Sequence, residues 1–259
     1  MEIWTTFGVS SVLVFVFMTI MFFAALIRQR NDIADVGWGI GFILVALTSL
    51  RLNGSATPRK LLVLVLVVLW GLRLAVHLGM RNRGKKEDYR YKRWREDWGE
   101  NWILRSYLQV FMLQGVFMLL ITFPIMLTMT YDVRPLSLLD LIGVVVWGFG
   151  FFFESVGDYQ LARFLANPEN RGRIMKYGLW QYTRHPNYFG EVTQWWGVFL
   201  IVLSVPNAWM GVIGPLAISY LILKVSGIPM LEKAFEGKPE WEEYKRRTSA
   251  FFPWLPRAA

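Results

Sequence analysis

The sequence predicts an all-α integral membrane protein with seven transmembrane helices, its N-terminus outside and its C-terminus cytoplasmic. Three observations carry that expectation. Hydrophobic residues make up 54% of the 259 and 13 are Trp, more than a soluble core requires, and mean hydropathy is +0.35. Apolar runs near the ~20 residues that cross about 30 Å of hydrocarbon recur along the chain. Finally, 22 of the 28 Lys and Arg fall in alternate connecting segments and only 4 in the others, the bias that holds basic segments in the cytoplasm.

The first span, 7–27, is apolar without a break. It starts Met-Glu-Ile-Trp, with no basic leader and no small-residue cleavage site, so a retained helix is expected. The second, 35–50, is short and interrupted by Gly in DVGWGIGF, which suggests cavity lining rather than lipid contact. The third, 61–80, carries Arg73 and His77 four apart, hence on one face. The fourth, 107–130, follows the basic segment 81–106. The fifth, 138–156, ends at Glu154 with Asp158 one turn on. The sixth, 188–205, is again short, and 208–229 is the seventh. Segments 81–106, 156–187 and 230–259 would be cytoplasmic and together roof a pocket. The last ends in SAFFPWLP, whose aromatics and prolines suit docking at the membrane interface. No repeat, low-complexity tract or Gly/Ser linker divides the chain, so one domain, 1–259, is expected.

Zero Cys excludes disulfides and thiolate catalysis, and two His, at 77 and 185, leave too few ligands for a typical zinc site; no metal is expected. The net charge of +9 belongs to the cytoplasmic face, where it suits anionic headgroups or a phosphate-bearing ligand. The expected partners are membrane lipids and an apolar small molecule, with no nucleic acid, and the chain is expected to be a monomer.

The densest chemistry lies in RHPNYFGE, 184–191, where a basic segment meets an apolar one. Polar groups there are costly unless a ligand or partner uses them. Asn187 and Glu191, one turn apart, can hydrogen-bond a carboxamide or ribose hydroxyls; the plainer reading is a capped helix start after Pro186. Arg83, Lys85, Arg163, Arg171, Arg173 and Arg184 form a cationic set whose guanidinium forks fit phosphate. Trp180, Tyr182, Tyr188 and Trp195 offer stacking faces, or an ordinary interfacial belt.

These residues resemble the bacterial branch of the steroid 5-alpha-reductase family. The likeness runs through GLWQYTRHPNYFGE, Gln194-Trp195-Trp196, ESVGDYQLARF from Glu154, NRG from Asn82 and YKRRTSAFFPW from Tyr244. It implies an enzyme of the bacterial inner membrane that holds NADPH from the cytoplasmic side and reduces a carbon-carbon double bond conjugated to a ketone, on a steroid or other apolar enone. By position, Asn187, Glu191 and Trp195 match the nicotinamide end. Asp158, Arg163, Arg171, Arg173, Tyr182, Arg184 and His185 fall in the segments resembling the rest of the cofactor site, and Arg73, His77, Asn82, Arg83 and Lys85 match residues that embrace the cofactor. The Glu that assists the ketone in steroid enzymes is best matched by Asp35, which if protonated can donate a hydrogen bond. Its plainer role is a cap on the second helix. The Tyr position is Trp70, whose indole donates a hydrogen bond but supplies no proton; Tyr89 or Tyr91 is the candidate substitute. RHP followed by an aromatic and Gly-Glu also resembles isoprenylcysteine and phospholipid methyltransferases, which use S-adenosylmethionine. That cofactor has no phosphate, so the arginines favour NADPH. A lipid-binding or transport protein is the non-enzymatic rival.

Overall fold

A computed structural model describes residues 2–132 and 135–257 and is all-helical, without a β-strand among them. The helices are α1 Ile3–Arg28, α2 Ile33–Asn53, α3 Pro58–Asn82, α4 Tyr89–Trp98, α5 Trp102–Arg105, α6 Leu113–Tyr131, α7 Leu138–Ala166, α8 Pro186–Val202, α9 Ile213–Tyr220, α10 Ile228–Lys233 and α11 Pro239–Arg247. Six helical stretches are long and apolar enough to cross a membrane: α1, α2, α3, Tyr89–Tyr131, α7 and Ala208–Lys233. The sixth stretch expected from the sequence forms α8, 17 residues long, which is not one of these six.

Lipid exposure is written on α1. Thr6, Ser10, Val14, Met18, Phe22 and Ala25 are buried at helical spacing, while the opposite face bares Ile20, Phe23 and Ile27, the last 84% exposed. A row of bare apolar side chains on every outer helix is unfavourable in water and ordinary in a bilayer.

The chain divides into two compact units, 1–137 with 202–214 and 138–201 with 215–259. In the first, α2 is the hub, packed against α1, α3 and α6. Its glycines explain that position. A Cβ on Gly39 would stand 2.4 Å from the carbonyl oxygen of Gly71 on α3, and Gly37 and Gly41 lie against Met21 of α1 and Met118 of α6. The interruptions in DVGWGIGF are therefore close helix contacts. The end of this unit at the start of α3 and the end of α6 is closed by an ion pair between Arg59 and Asp132, both side chains fully buried; Thr57 also donates to Asp132, and Arg59 donates 2.8 Å to the Pro135 carbonyl.

In the second unit α7 and α8 meet along glycines spaced by seven. Gly143, Gly150 and Gly157 on α7 face Gly197, Gly190 and the Pro186–Asn187 start of α8. A seven-residue period keeps one stripe of each helix in register with its neighbour, and Gly lets the backbones close. Gly150→Val would place side-chain atoms against backbone, with its Cβ 2.6 Å from the Gly190 oxygen and 2.7 Å from the Gln194 nitrogen. The expected cost is about 1–3 kcal/mol, read as a lower thermal midpoint in detergent.

The tail docks within this same unit. Ile174, Trp241 and Tyr244 form a small core with Phe235, Lys176 bonds Glu240 at 3.0 Å, and Thr183 pairs with Ser249 in an isolated bridge. Phe251 and Phe252 pack on Phe189.

Candidate functional site

In the first unit, α2 starts beneath a welded pair of loops. Arg30 donates through Nε and Nη2 to the Asp32 carboxylate at 2.6 and 2.7 Å, and its Nη1 donates to the Lys85 carbonyl at 3.2 Å. Asp32 also accepts the Asp88 N–H at 3.1 Å, while Glu87 accepts the Asn31 N–H at 2.6 Å and bonds Arg95. Burial pushes the Asp88 carboxyl up, but Arg90 and Arg81 outweigh it and hold the group below its ordinary value. The segment between α3 and α4 is thus fixed to the turn between α1 and α2, which sets α4 over the first turn of α2.

That placement brings Tyr91 to Asp35. Tyr91 Oη donates to Asp35 Oδ1 at 2.6 Å and accepts from Gln114 Nε2 at 3.3 Å. Arg90 Nη2 stands 4.0 Å from Asp35 Oδ2 and binds Asp88 with both arms of its fork at 3.0 Å. Tyr91 is 6% exposed. Tyr89, the other candidate phenol, is 56% exposed at the start of α4. Trp70 is buried edge-on against Phe42, two turns along α2 from Asp35. Of the expected catalytic residues, the structure gives Asp35 an acid partner, and that partner is Tyr91.

Arg73 and His77 lie one turn apart on α3, both half-buried. Beyond them Asn82-Arg83-Gly84-Lys85 forms a type II turn: Arg83 has φ −63° and ψ 128°, Gly84 has φ 69°, and the Lys85 N–H donates to the Asn82 carbonyl at 3.2 Å. The positive φ is what requires Gly at that position. A cavity of about 450 Å³ sits here, lined by Ala24, Arg28, Arg30, Asp32, Val36 and Gly79 with the Asn82–Gly84 turn.

In the second unit the α7–α8 seam aligns two polar pairs. Gln194 donates to the buried Glu154, and one turn on along α7 and two turns back along α8, Asn187 Nδ2 donates to Asp158 Oδ1 at 3.1 Å. A carboxylate only accepts, so it fixes which end of the Asn187 amide faces it. The opposite atom, Oδ1, is buried with no donor among the described residues. Glu191 follows one turn along α8, half-buried, and Trp195 one turn further, 3% exposed. An unsatisfied buried carbonyl oxygen is the acceptor that a carboxamide N–H2 needs, so this acceptor fits the nicotinamide end of a dinucleotide.

Arg171 and Arg173 occupy a second type II turn, Asn170-Arg171-Gly172-Arg173, with Arg171 at φ −59° and ψ 123°, Gly172 at φ 81° and a 3.0 Å bond from the Arg173 N–H to the Asn170 carbonyl. Both arginines and Arg163 are exposed, with no ion pair among the described residues. Arg184 and His185 are placed differently from expectation. Arg184 donates through Nε to Glu232 at 2.9 Å and through Nη1 to the Lys245 carbonyl at 3.1 Å, and His185 Nε2 meets the same Glu232 oxygen at 3.0 Å. Both are buried, and Arg184 lies 5.7 Å from the Trp241 ring. They anchor the entry of α8 to the tail, as does Tyr244, whose hydroxyl donates to the Trp180 carbonyl. Tyr182 is half-buried and accepts the Trp254 N–H on its carbonyl at 2.9 Å.

Burial holds His185 below the usual imidazole value, with Glu232 partly opposing it and Arg184 adding to it. The folded state therefore binds the proton less readily than the unfolded chain. Its contribution to stability is full above the unfolded value of about 6.5 and falls as pH drops through the folded one. The thermal midpoint should decline from pH 7 to pH 5, and decline less in His185→Gln.

The family model described as "Protein of unknown function (DUF1295)" matches residues 21–248. The chain belongs to that family. The match takes in every element just described from the end of α1 to the end of α11, including both type II turns, the Asp35–Tyr91 pair and the α7–α8 seam. No curated protein and no solved structure matches the chain at significance.

Proposed function

We propose that this family member is a membrane-embedded, NADPH-dependent reductase of the carbon-carbon double bond of an apolar enone, with segments 81–106, 156–187 and 230–259 on the cytoplasmic face of a bacterial inner membrane. The observation that carries the reading is the Tyr91–Asp35 hydrogen bond, a phenol and a carboxyl paired at the first turn of α2. An enone reductase needs a donor at the ketone oxygen, where negative charge develops. Trp70 cannot supply a proton, and Tyr91 can. With Asp35 protonated, its O–H donates to Tyr91 Oη and leaves the phenol proton free to bond the ketone.

NADPH, when bound, would supply the hydride that an enone accepts at its β-carbon. Asn187 accepts from the nicotinamide carboxamide through Oδ1, held in that orientation by Asp158, with Glu191 and Trp195 completing its surroundings. Arg163, Arg171 and Arg173 neutralise phosphate; their exposure leaves all three forks available. Arg184 and His185 hold the start of α8 rather than the ligand.

Equilibrium binding to detergent-purified protein tests this. NADPH should bind, NADH more weakly, and Arg171→Ala/Arg173→Ala should weaken NADPH at least tenfold. Binding of S-adenosylmethionine without NADPH would make the protein a membrane methyltransferase and overturn the proposal.

A further inference from the structure

The cavity at the cytoplasm-proximal ends of α1, α2 and α3 includes Asn82 and Arg83, which the family resemblance matches to the cofactor site, but its lining as a whole suits another ligand. Its floor is apolar or bare: Ala24 of α1, Val36 of α2 and Gly79 of α3, where a Cβ would meet nothing within 4 Å. Its rim is cationic. Arg30 is neutralised by Asp32, but Arg28 and Arg83 are exposed and carry no ion pair among the described residues. Asn82, beside them, has its Oδ1 engaged by Arg81 Nε at 3.3 Å and its Nδ2 buried without an acceptor. Two uncompensated guanidinium groups and an unsatisfied amide donor converge on one opening, which is the donor set for a phosphate ester. The flanking helix faces are lipid-exposed, with Phe23 and Ile27 on α1 and Val76 and Met80 on α3 bare.

We propose that this cavity binds the phosphate of an anionic phospholipid, with the headgroup on Arg28, Arg83 and Asn82 and the glycerol end of the acyl chains over Ala24 and Gly79. A basic rim above an apolar floor matches the polarity profile of a lipid and leaves that floor without function for free phosphate. The welded loops give the site its rigidity, because the type II turn carrying Arg83 is tied through the Lys85 carbonyl to Arg30. The inference is independent of the enzymatic reading: a protein that reduced nothing would still hold this lipid.

The test is native mass spectrometry of the full chain released from mixed phosphatidylcholine and phosphatidylglycerol nanodiscs, with lipid retention titrated. The wild type should retain one phosphatidylglycerol at least tenfold more tightly than phosphatidylcholine. Arg28→Gln/Arg83→Gln should lose that preference, and Gly79→Leu should lower retention by filling the floor with every charge in place. Arg51→Gln, at the other end of α2, should change nothing. Both arginines and Gly79 stand clear of other atoms, so the variants should fold, checked by an unchanged thermal midpoint. Retention unaltered in both variants would overturn the proposal. So would one-for-one displacement of the lipid by NADPH or by inorganic phosphate at equal concentration, which would assign the cavity to the cofactor or to free phosphate. NADPH failing to bind anywhere would defeat the reductase reading and leave this one standing.

Discussion

Tyr91→Phe is expected to lower the rate of enone reduction by about 10²–10⁴-fold while leaving NADPH affinity within twofold of wild type. The variant deletes one oxygen that donates to Asp35 at 2.6 Å and accepts from Gln114. It keeps the ring that packs edge-on against Trp94 at 5.4 Å, so folding should survive. Asp35→Ala should fall by a similar factor, because no side chain remains at 35 to donate to Tyr91 Oη, while Asp35→Asn, whose N–H2 can still donate there, should be milder. The double variant should be little worse than either single one, since residues that act as a unit are not additive. Tyr89→Phe, at an exposed position, should be indistinguishable from wild type. The measurement is NADPH oxidation with a panel of steroid and terpenoid enones, set beside NADPH binding. Full activity in Tyr91→Phe with a turned-over substrate would remove Tyr91 from the chemistry.

That contrast between Tyr89 and Tyr91 shows what kind of information the sequence holds. Apolar runs locate α1, α3 and α7 well, because a long unbroken apolar stretch has few alternatives to a membrane helix. Asp35 stands out for the same reason, as the one carboxylate in DVGWGIGF. Its partner does not. Tyr91 lies 56 positions away in the basic segment expected to roof a pocket, where sequence does not choose between it and Tyr89, and the Arg30, Asp32 and Glu87 contacts bring that segment down on α2. The glycines were visible but open to two readings: those of α2 suggested a cavity and proved to be helix contacts, and the seven-residue spacing of Gly143, Gly150 and Gly157 was a packing signal in plain view. Arg184 and His185 show the limit of a motif. Residue type and spacing made them candidates for a ligand, while Glu232, 47 and 48 positions on, is the group that meets them.

The largest stability effect should come from the far end of the first unit. Asp132→Ala removes the carboxylate that Arg59 meets with a fully buried side chain, and removal of one partner from a buried pair costs about 3–5 kcal/mol. The Thr57 hydroxyl loses its acceptor at the same time, and Thr57 also caps α3 by accepting the Lys60 N–H at 3.4 Å. The start of α3 and the end of α6 would therefore loosen together. Thermal unfolding in detergent should show the loss, and Asp132→Asn should recover part of it by preserving an acceptor for Arg59. Replacing both charges, Arg59→Met/Asp132→Leu, should be milder than Asp132→Ala alone, because it takes both buried charges out together instead of one partner only. NADPH binding should be unchanged in whatever fraction of the double variant is folded, since neither residue is assigned to the ligand. If Asp132→Ala proved as stable as wild type, the Arg59 charge would have to be met by other groups, and the ion pair would not be what closes this end of the bundle.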